Sequence, residues 1–197
     1  MKNDIARLAL KLLRGELSKR KRRKKSAPLI IAVLTIAVLA LTQYLGEGDS
    51  AAPLPPKGAE LSCAVSNVYD GDTVTASCAE GKLKIRVWGI DAPEMGQKPW
   101  GRESRDAMRE LVPSAKIKIE VVDTDRYGRV VARLFDNGND LGLALVQQGR
   151  AIVYERYNKS KDYKRAETQA KRAKLGIWSK RGAQQNPEQW RRVNART

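Results

Sequence analysis

Apolar residues occupy every second position in several short runs of this chain. The clearest run lies between Lys82 and Ile90, and its alternating apolar residues are Leu83, Ile85 and Val87. Because strand side chains point alternately to the two faces of a sheet, Lys84 and Arg86 share the opposite face. Such runs, together with the β-branched residues between Thr73 and Ser77, predict five strands, at Leu61–Val68, Thr73–Ser77, Lys82–Ile90, Ile117–Val121 and Arg129–Phe135.

Helical patterns fall between and after these strands. They predict helices over Arg102–Leu111, Leu141–Gln148 and Lys159–Lys174. The first ends before Pro113, and the other two close at Gly149 and Gly176, as glycine does at helix ends. Five short strands with a helix between the third and fourth is the element order of an OB-type barrel. We therefore predict an α+β fold, a five-stranded OB-type β-barrel with about three helices, over residues 60–179.

A long apolar run precedes this domain. Residues 27–45 are 19 mostly apolar residues with no charge, which nearly cross a hydrocarbon core at about 1.5 Å per residue and predict a transmembrane helix. The basic segment 1–26 should stay cytoplasmic, so the domain faces the periplasm or the exterior. A cleaved signal peptide is the competing interpretation and would give a secreted protein.

Two flanking segments have compositions typical of loops. Residues 46–59 are rich in glycine and proline and predict a linker between the membrane segment and the domain. Residues 180–197 form a polar, basic tail, which we expect to be mobile.

Composition excludes several chemistries. The chain has no histidine and only two cysteines, so histidine-based acid–base catalysis, histidine zinc sites and four-thiolate sites are impossible. Hydrolysis would have to use carboxylates, arginine, lysine, tyrosine or a metal held by oxygen atoms.

Cys63 and Cys78 lie on either side of the turn at Asp70-Gly71. An antiparallel hairpin folding at this turn would bring the two cysteines together across the strand pair. In an exported domain they could form a disulfide, and two unpaired thiols are the alternative.

The formal net charge of +16 is unevenly distributed. Lys and Arg outnumber Asp and Glu by 11 to 2 in residues 1–26 and by 14 to 4 in residues 150–197, whereas residues 27–149 hold 13 basic and 16 acidic residues. A basic flank beside an acidic pocket suits a polyanionic partner. A solvated basic helix is the simpler alternative.

The acidic pocket is predicted between Tyr69 and Glu94. Its charged residues are Asp70, Asp72, Arg86, Asp91 and Glu94. This mixture offers acidic oxygens for a hard cation, a guanidinium for a phosphate and a spare carboxylate. Each acid, taken alone, could also be an ordinary residue of a turn or a strand end.

Over about residues 62–178 the chain resembles the staphylococcal nuclease (thermonuclease) family. The motifs that carry the resemblance are Asp70-Gly71-Asp72-Thr73, Arg86-Val87-Trp88-Gly89-Ile90-Asp91-Ala92-Pro93-Glu94, Asp125-Arg126-Tyr127-Gly128-Arg129 and Gly176-Ile177-Trp178. Four motifs in order are a stronger signal than one. The resemblance implies an OB-fold that cleaves phosphodiester bonds in DNA and RNA with calcium.

The resemblance also implies a metal site and a catalytic carboxylate. Asp72 and Asp91 would donate carboxylate oxygens to calcium, and Ala92 its main-chain carbonyl, although family members often have threonine at that position. Asp70 would act on the ion through water. Glu94 matches the carboxylate that activates or orients the attacking water.

Further residues match substrate-binding positions. Arg86 and Arg129 correspond to the two arginines that hold the scissile phosphate. Arg126 and Tyr127 fall where the chain would contact a nucleotide. Tyr157 corresponds to an aromatic position near the nucleotide, with a packing role as the alternative.

The sequence therefore predicts a membrane-tethered, calcium-dependent nuclease that prefers single strands of DNA and RNA. One alternative is a catalytically silent OB-type nucleic-acid-binding module, but such a module would be expected to lack Arg86, Glu94, Arg129 or an acidic ligand. Another is a membrane adaptor whose basic N-terminal helix is the functional part.

Overall fold

The computed structural model describes residues 35–38 and 54–194. Residues 35–38 are helical and exposed. Within the described ranges, no helix has the length and apolar character that a membrane crossing requires. Most of the predicted transmembrane segment 27–45, most of the linker 46–59 and all of the basic segment 1–26 lie outside the described residues. Contacts divide the chain after Ser50, and the domain described below belongs to the second unit, Ala51–Thr197.

Five strands of this domain match the five that the sequence predicts. The strands of the described region are β1 (Glu60–Val68), β2 (Thr73–Cys78), β3 (Gly81–Val87), β4 (Ile90–Asp91), β5 (Lys116–Thr124), β6 (Val130–Asp136), β7 (Asn139–Asp140) and β8 (Ile152–Val153). The predicted third strand is too long, because Gly89 adopts a positive φ of 76° that turns the chain after β3. Ile90–Asp91 then forms the separate strand β4, which pairs with β8.

The main sheet closes on itself. Its order is β3-β2-β1-β5-β6, with β7 beside β6, and β3 also pairs with β6. The closing pair is parallel, whereas β1–β2, β2–β3, β1–β5 and β5–β6 are antiparallel. This confirms the predicted five-stranded OB-type barrel.

The barrel interior is filled by the apolar members of the alternating runs. Val74, Ile85, Ile119 and Leu134, one each from β2, β3, β5 and β6, are completely buried. Burying a side chain of this size contributes about 1.5–3 kcal/mol relative to leaving it in water. The polar residues of these runs therefore point outward or toward the ends of the strands. The charged residues of the predicted pocket lie at these ends.

The helices pack around this barrel. They are α1 (Trp100–Leu111), α2 (Leu141–Gln147), α3 (Lys161–Arg172) and α4 (Pro187–Asn194). The first three match the predicted helices to within two residues at each end. Asp140 begins α2 by accepting a hydrogen bond from the Leu143 amide at 3.2 Å, which satisfies a donor that the first turn leaves open.

The expectation of a mobile tail is wrong for residues 183–194. A 3₁₀ turn at Ala183–Gln185 leads into α4. Gln184 is buried, and its side-chain amide donates hydrogen bonds to the carbonyls of Ile177 and Lys180. The polar composition was misleading because the side chains of Gln184 and Gln185 form hydrogen bonds with the protein itself.

The predicted disulfide between Cys63 and Cys78 is present. Ala64 pairs with Ser77 across β1 and β2, so the next pair outward is the two cysteines. The bond ties the open end of the hairpin together, while the Asp70–Asp72 turn lies at its other end.

We expect replacement of both cysteines by alanine to lower the free energy of unfolding by about 3 kcal/mol, because the bond closes a short loop in the unfolded chain. Urea titration of the purified domain measures the change. Wild-type protein held in reductant is the matched control and should lose a similar amount. A double variant as stable as the oxidised wild type would contradict the expectation.

Candidate active site

The Asp70-Gly71-Asp72 turn at the end of the β1–β2 hairpin places an acidic side chain inside the protein. The Asp72 amide donates to Asp70 Oδ1 at 2.9 Å, and Asp72 is only 3% exposed. Asp72 Oδ2 in turn accepts from the Ala92 amide at 2.7 Å. A side chain at Gly71 would collide with Ala92 and Ser104, so only glycine lets the turn approach so closely.

Arg86 on β3 links this turn to β4. Its backbone pairs with Thr73, which places its guanidinium beside Asp72. The same guanidinium donates to Asp91 Oδ1 at 3.0 Å and to the Ile90 carbonyl at 3.2 Å. Asp91 is 1% exposed. Two buried carboxylates are therefore held against one arginine, and each would be costly to bury without it.

Arg129 precedes β6 and is held by the turn before it. Asp125 accepts from the Arg129 side chain through Oδ2 at 2.8 Å and from its amide through Oδ1 at 3.0 Å. Burial tends to raise the pKa of Asp125, but these bonds and the nearby charge of Arg129 bring the pKa below its ordinary value. Asp125 therefore stays ionised and fixes the direction of Arg129.

Arg86 and Arg129 are close enough for the charge of Arg129 to lower the pKa of Arg86. β3 and β6 are parallel neighbours, with Ile85 opposite Val130, so Arg86 and Arg129 come from adjacent strands at the same end. Burial lowers the pKa of Arg86; Asp91 and Asp70 oppose this change, and the positive charge of Arg129 reinforces it. Burial also raises the pKa of Asp70, against the opposing charges of both arginines. Two poorly solvated cations at one place favour an anion.

Glu94 lies on the turn after β4. Its amide donates to Gln97 Oε1 at 2.7 Å, which fixes the turn, while its side chain is about one-third exposed. The carboxylate faces Arg191 of α4, whose Nη1 donates to Glu94 Oε1 at 2.7 Å and to Asp91 Oδ1 at 3.0 Å. One guanidinium thus joins Glu94 to Asp91, so both carboxylates belong to the same site as Asp72 and Arg86.

Arg191 is the site residue that the sequence analysis missed. Beyond the two bonds from Nη1, its Nη2 donates to Asp91 Oδ2 at 2.9 Å. Partial burial tends to lower the pKa of Arg191, but the bonds and charges of Asp91 and Glu94 raise it above its ordinary value. The sequence gives little indication that Arg191 belongs to the site, because about a hundred residues separate it from Asp91. The basic composition of the tail is the one weak signal.

Two of the predicted nucleotide-contacting residues, Arg126 and Tyr127, lie beside Arg129 of the site. Tyr127 is 68% exposed, and both Arg126 and Arg129 lie over its ring, at 4.8 and 5.7 Å from the centroid. Tyr157 is also exposed and packs edge-on against Tyr154. Its loop joins the site through the Tyr154 amide, which donates to the carbonyl of Gly89.

The donor set fits a hard divalent cation in its chemistry. Asp72 and Asp91 are carboxylate oxygen donors that meet at Arg86, and Ala92 lies beside Asp72. Within residues 35–38 and 54–194, however, no three acidic, cysteine or histidine side chains are grouped closely enough to hold a metal. Arginines contact Asp72 Oδ1 and both oxygens of Asp91 in this arrangement, so a cation would have to compete with Arg86 and Arg191 for these oxygens.

Comparison with known proteins agrees with the motifs. The sequence profile described as staphylococcal nuclease homologue matches residues 84–180. An uncharacterised endonuclease of Haemophilus influenzae is 32% identical over 66% of this chain and 73% of its own length. A micrococcal nuclease of Shigella flexneri is 29% identical over 71% of this chain and 85% of its own.

Similarity also extends to a plant protein. A probable staphylococcal-like nuclease of rice is 38% identical over 56% of this chain, but the match spans only 29% of the rice protein. The shared part is thus less than a third of that relative. The shared residues, the closed barrel and the extent of the bacterial matches show that the chain belongs to the family of staphylococcal nuclease homologues.

Proposed function

We propose that this chain is a metal-dependent nuclease that hydrolyses phosphodiester bonds in DNA and RNA. The observation that carries the proposal is the bridging of buried Asp72 and Asp91 by Arg86, with Glu94 joined to the same group through Arg191. This grouping combines acids for a cation, an arginine for a phosphate and one exposed carboxylate for water. The endonuclease and nuclease names of the bacterial relatives support the same activity.

The arginines bind the substrate phosphate in this proposal. Arg86 is fixed by Asp72 and Asp91, and Arg129 is fixed by Asp125, so neither side chain has to be ordered when the substrate binds. A guanidinium has five donors in a planar arrangement that matches phosphate oxygens. The two charges would stabilise the extra negative charge that develops on the phosphate as water attacks.

Glu94 would accept the proton of the attacking water. It is the most exposed carboxylate among Asp72, Asp91 and Glu94, and it is held by the turn that Gln97 fixes. Asp72, Asp91 and the Ala92 carbonyl would hold calcium, which when bound supplies positive charge beside the phosphate and lowers the pKa of a coordinated water.

We propose that an exposed aromatic side chain, Tyr127, gives the enzyme its preference for single strands. Tyr127 stands clear of the barrel beside two arginines, where an unpaired base can stack on its ring. Bases in a closed duplex are already stacked and cannot reach such a ring.

We also propose that residues 27–45 tether the domain to a membrane, with residues 1–26 in the cytoplasm. The basic run before the apolar segment supports this orientation. The Cys63–Cys78 disulfide supports it as well, because such bonds persist outside the cytoplasm.

The alternative function is a silent nucleic-acid-binding module. It would share the barrel and the basic surface, and would bind nucleic acid without cleaving it. The presence of Arg86, Glu94 and Arg129 in one site favours the enzyme, because binding alone does not need the carboxylate.

We expect Glu94→Gln to lower the turnover of single-stranded DNA by about 10²- to 10⁴-fold at saturating calcium, because the amide cannot accept the proton. Arg86→Lys should be similarly impaired, since lysine keeps the charge but cannot span Asp72, Asp91 and a phosphate. A fluorescent oligonucleotide assay measures both, with calcium and with chelator. The matched controls are Glu110→Gln and Arg165→Lys on exposed helix faces, which should retain wild-type rates. Full activity in both site variants, with normal unfolding curves, would reject the site.

We expect Tyr127→Ala to weaken binding of a short single-stranded oligonucleotide by about 5- to 100-fold, because one stacked base contributes roughly 1–3 kcal/mol. Tyr127→Phe is the control, because it keeps the ring and removes only the hydroxyl. Fluorescence anisotropy with chelated calcium measures affinity without cleavage. Equal loss in the two variants would show that stacking is not the contribution of Tyr127.

We expect protease added to intact spheroplasts of a bacterium producing the full chain to digest the domain. Carbonate washing should leave the chain in the membrane fraction, because an anchored segment is not extracted by high pH. A cytoplasmic protein of the same cells serves as the lysis control. Protection of the domain until lysis would contradict the orientation, and release into the medium would favour a cleaved signal peptide.

A further inference from the structure

Arg191 occupies the atoms that the proposed cation and the proposed base would use. Its guanidinium contacts both oxygens of Asp91, at 3.0 and 2.9 Å, and one oxygen of Glu94, at 2.7 Å. A guanidinium takes up lone-pair directions of the carboxylate oxygens that it contacts, and its positive charge repels a metal ion, so it competes with the metal for these oxygens. In this arrangement the site therefore already holds a monovalent cation supplied by the protein itself.

The helix that carries Arg191 is docked on the segment that carries Glu94. The ring of Trp190 lies so close to Gly96 that a β-carbon there would come within 2.7 Å of it. Gln97 accepts from the Glu94 amide through Oε1 and donates to the Ala183 carbonyl through Nε2 at 2.9 Å. The tail and the turn that carries Glu94 are thus joined at two points besides Arg191, so the Arg191 contact is part of a built interface.

The Arg191–Glu94 contact is weak enough to be reversible, and the buried Asp91 keeps Arg86 as a partner when Arg191 leaves. The Arg191 side chain is 37% exposed and Glu94 is 33% exposed, so water screens much of their attraction. Partly exposed ion pairs contribute little to stability, and side-chain entropy favours their separation. A divalent ion has twice the charge of the guanidinium and can compete for the same oxygens.

We propose that Arg191 and α4 form an autoinhibitory latch that competes with the divalent metal for Asp91 and Glu94. The inference rests on the proposed function for the role of the metal. In the closed state Arg191 holds both oxygens of Asp91 and one oxygen of Glu94, which keeps Glu94 from the attacking water. In the open state Asp91 Oδ2 and Glu94 are released, while Asp91 Oδ1 keeps its contact with Arg86. The enzyme therefore becomes active only above the metal concentration that displaces Arg191.

The alternative role for Arg191 is that of a third phosphate-binding arginine. The two roles predict different effects of removing Arg191 on the metal affinity and on the substrate affinity. In the latch, loss of Arg191 strengthens metal binding and leaves the substrate affinity unchanged. In a phosphate-binding role, loss of Arg191 weakens substrate binding and leaves the metal affinity unchanged.

The experiment compares Arg191→Ala with Arg192→Ala in the full chain. Arg192 is the exposed neighbour on the same helix, so its variant loses the same charge from nearly the same place. Calcium binding is measured by calorimetry without nucleic acid, which makes the result independent of whether the chain cleaves anything. We expect Arg191→Ala to bind calcium about 3- to 30-fold more tightly than wild type, the range expected when two ion pairs made by one partly exposed guanidinium are lost. Arg192→Ala should match wild type.

The calcium concentration for half-maximal cleavage should fall by the same factor in Arg191→Ala. Arg191→Lys is a second variant, which keeps a charge but cannot span Asp91 and Glu94 together, and should lie between wild type and Arg191→Ala. Equal calcium affinity in Arg191→Ala and Arg192→Ala would overturn the latch, as would weaker or absent binding in Arg191→Ala. A raised KM for the oligonucleotide with unchanged calcium affinity would also overturn it and assign Arg191 to phosphate binding.

Discussion

The structure of the site depends on the burial of two carboxylates against one arginine. Asp72 and Asp91 are almost completely inaccessible, and Arg86 contacts both. A buried charge without a partner is strongly unfavourable, so each of these groups requires the others. The burial of these charges therefore favours the arrangement in which the hairpin turn, β3 and β4 meet at one point, and this arrangement assembles the acidic end of the site.

The barrel supplies the rigid positions that this cluster needs. The antiparallel pairing of β2 with β3 sets Arg86 beside the Asp72 turn, and the parallel closure of β3 on β6 sets Arg129 beside Arg86. Acidic side chains then fix both arginines. Asp72 and Asp91 hold Arg86, and Asp125 holds Arg129. These contacts form when the chain folds. The two arginine side chains therefore lose their conformational entropy on folding, and substrate binding does not have to order them.

The sequence predicted those parts of the structure that are set by local patterns. Alternation placed Arg86 on the outward face of its strand, the Asp-Gly turn placed Asp72, and symmetry about that turn paired Cys63 with Cys78. What it could not predict are contacts between distant segments whose composition shows no pattern. The pairing of β4 with β8 depends on a turn at Gly89, and Arg191 reaches Asp91 across about a hundred residues. A polar tail is satisfied equally well by water and by a protein surface, so only the fold decides between them.

In the proposed enzyme one pocket holds a divalent cation beside a phosphate. A crystal structure of the domain with calcium and a short phosphorothioate oligonucleotide would show whether it does. We expect a cation coordinated by Asp72 and Asp91, and a phosphate contacted by Arg86 and Arg129, with Glu94 facing the phosphorus. A cation bound elsewhere, or an oligonucleotide bound along the basic face of α3 with the Arg86 site unchanged, would contradict this expectation.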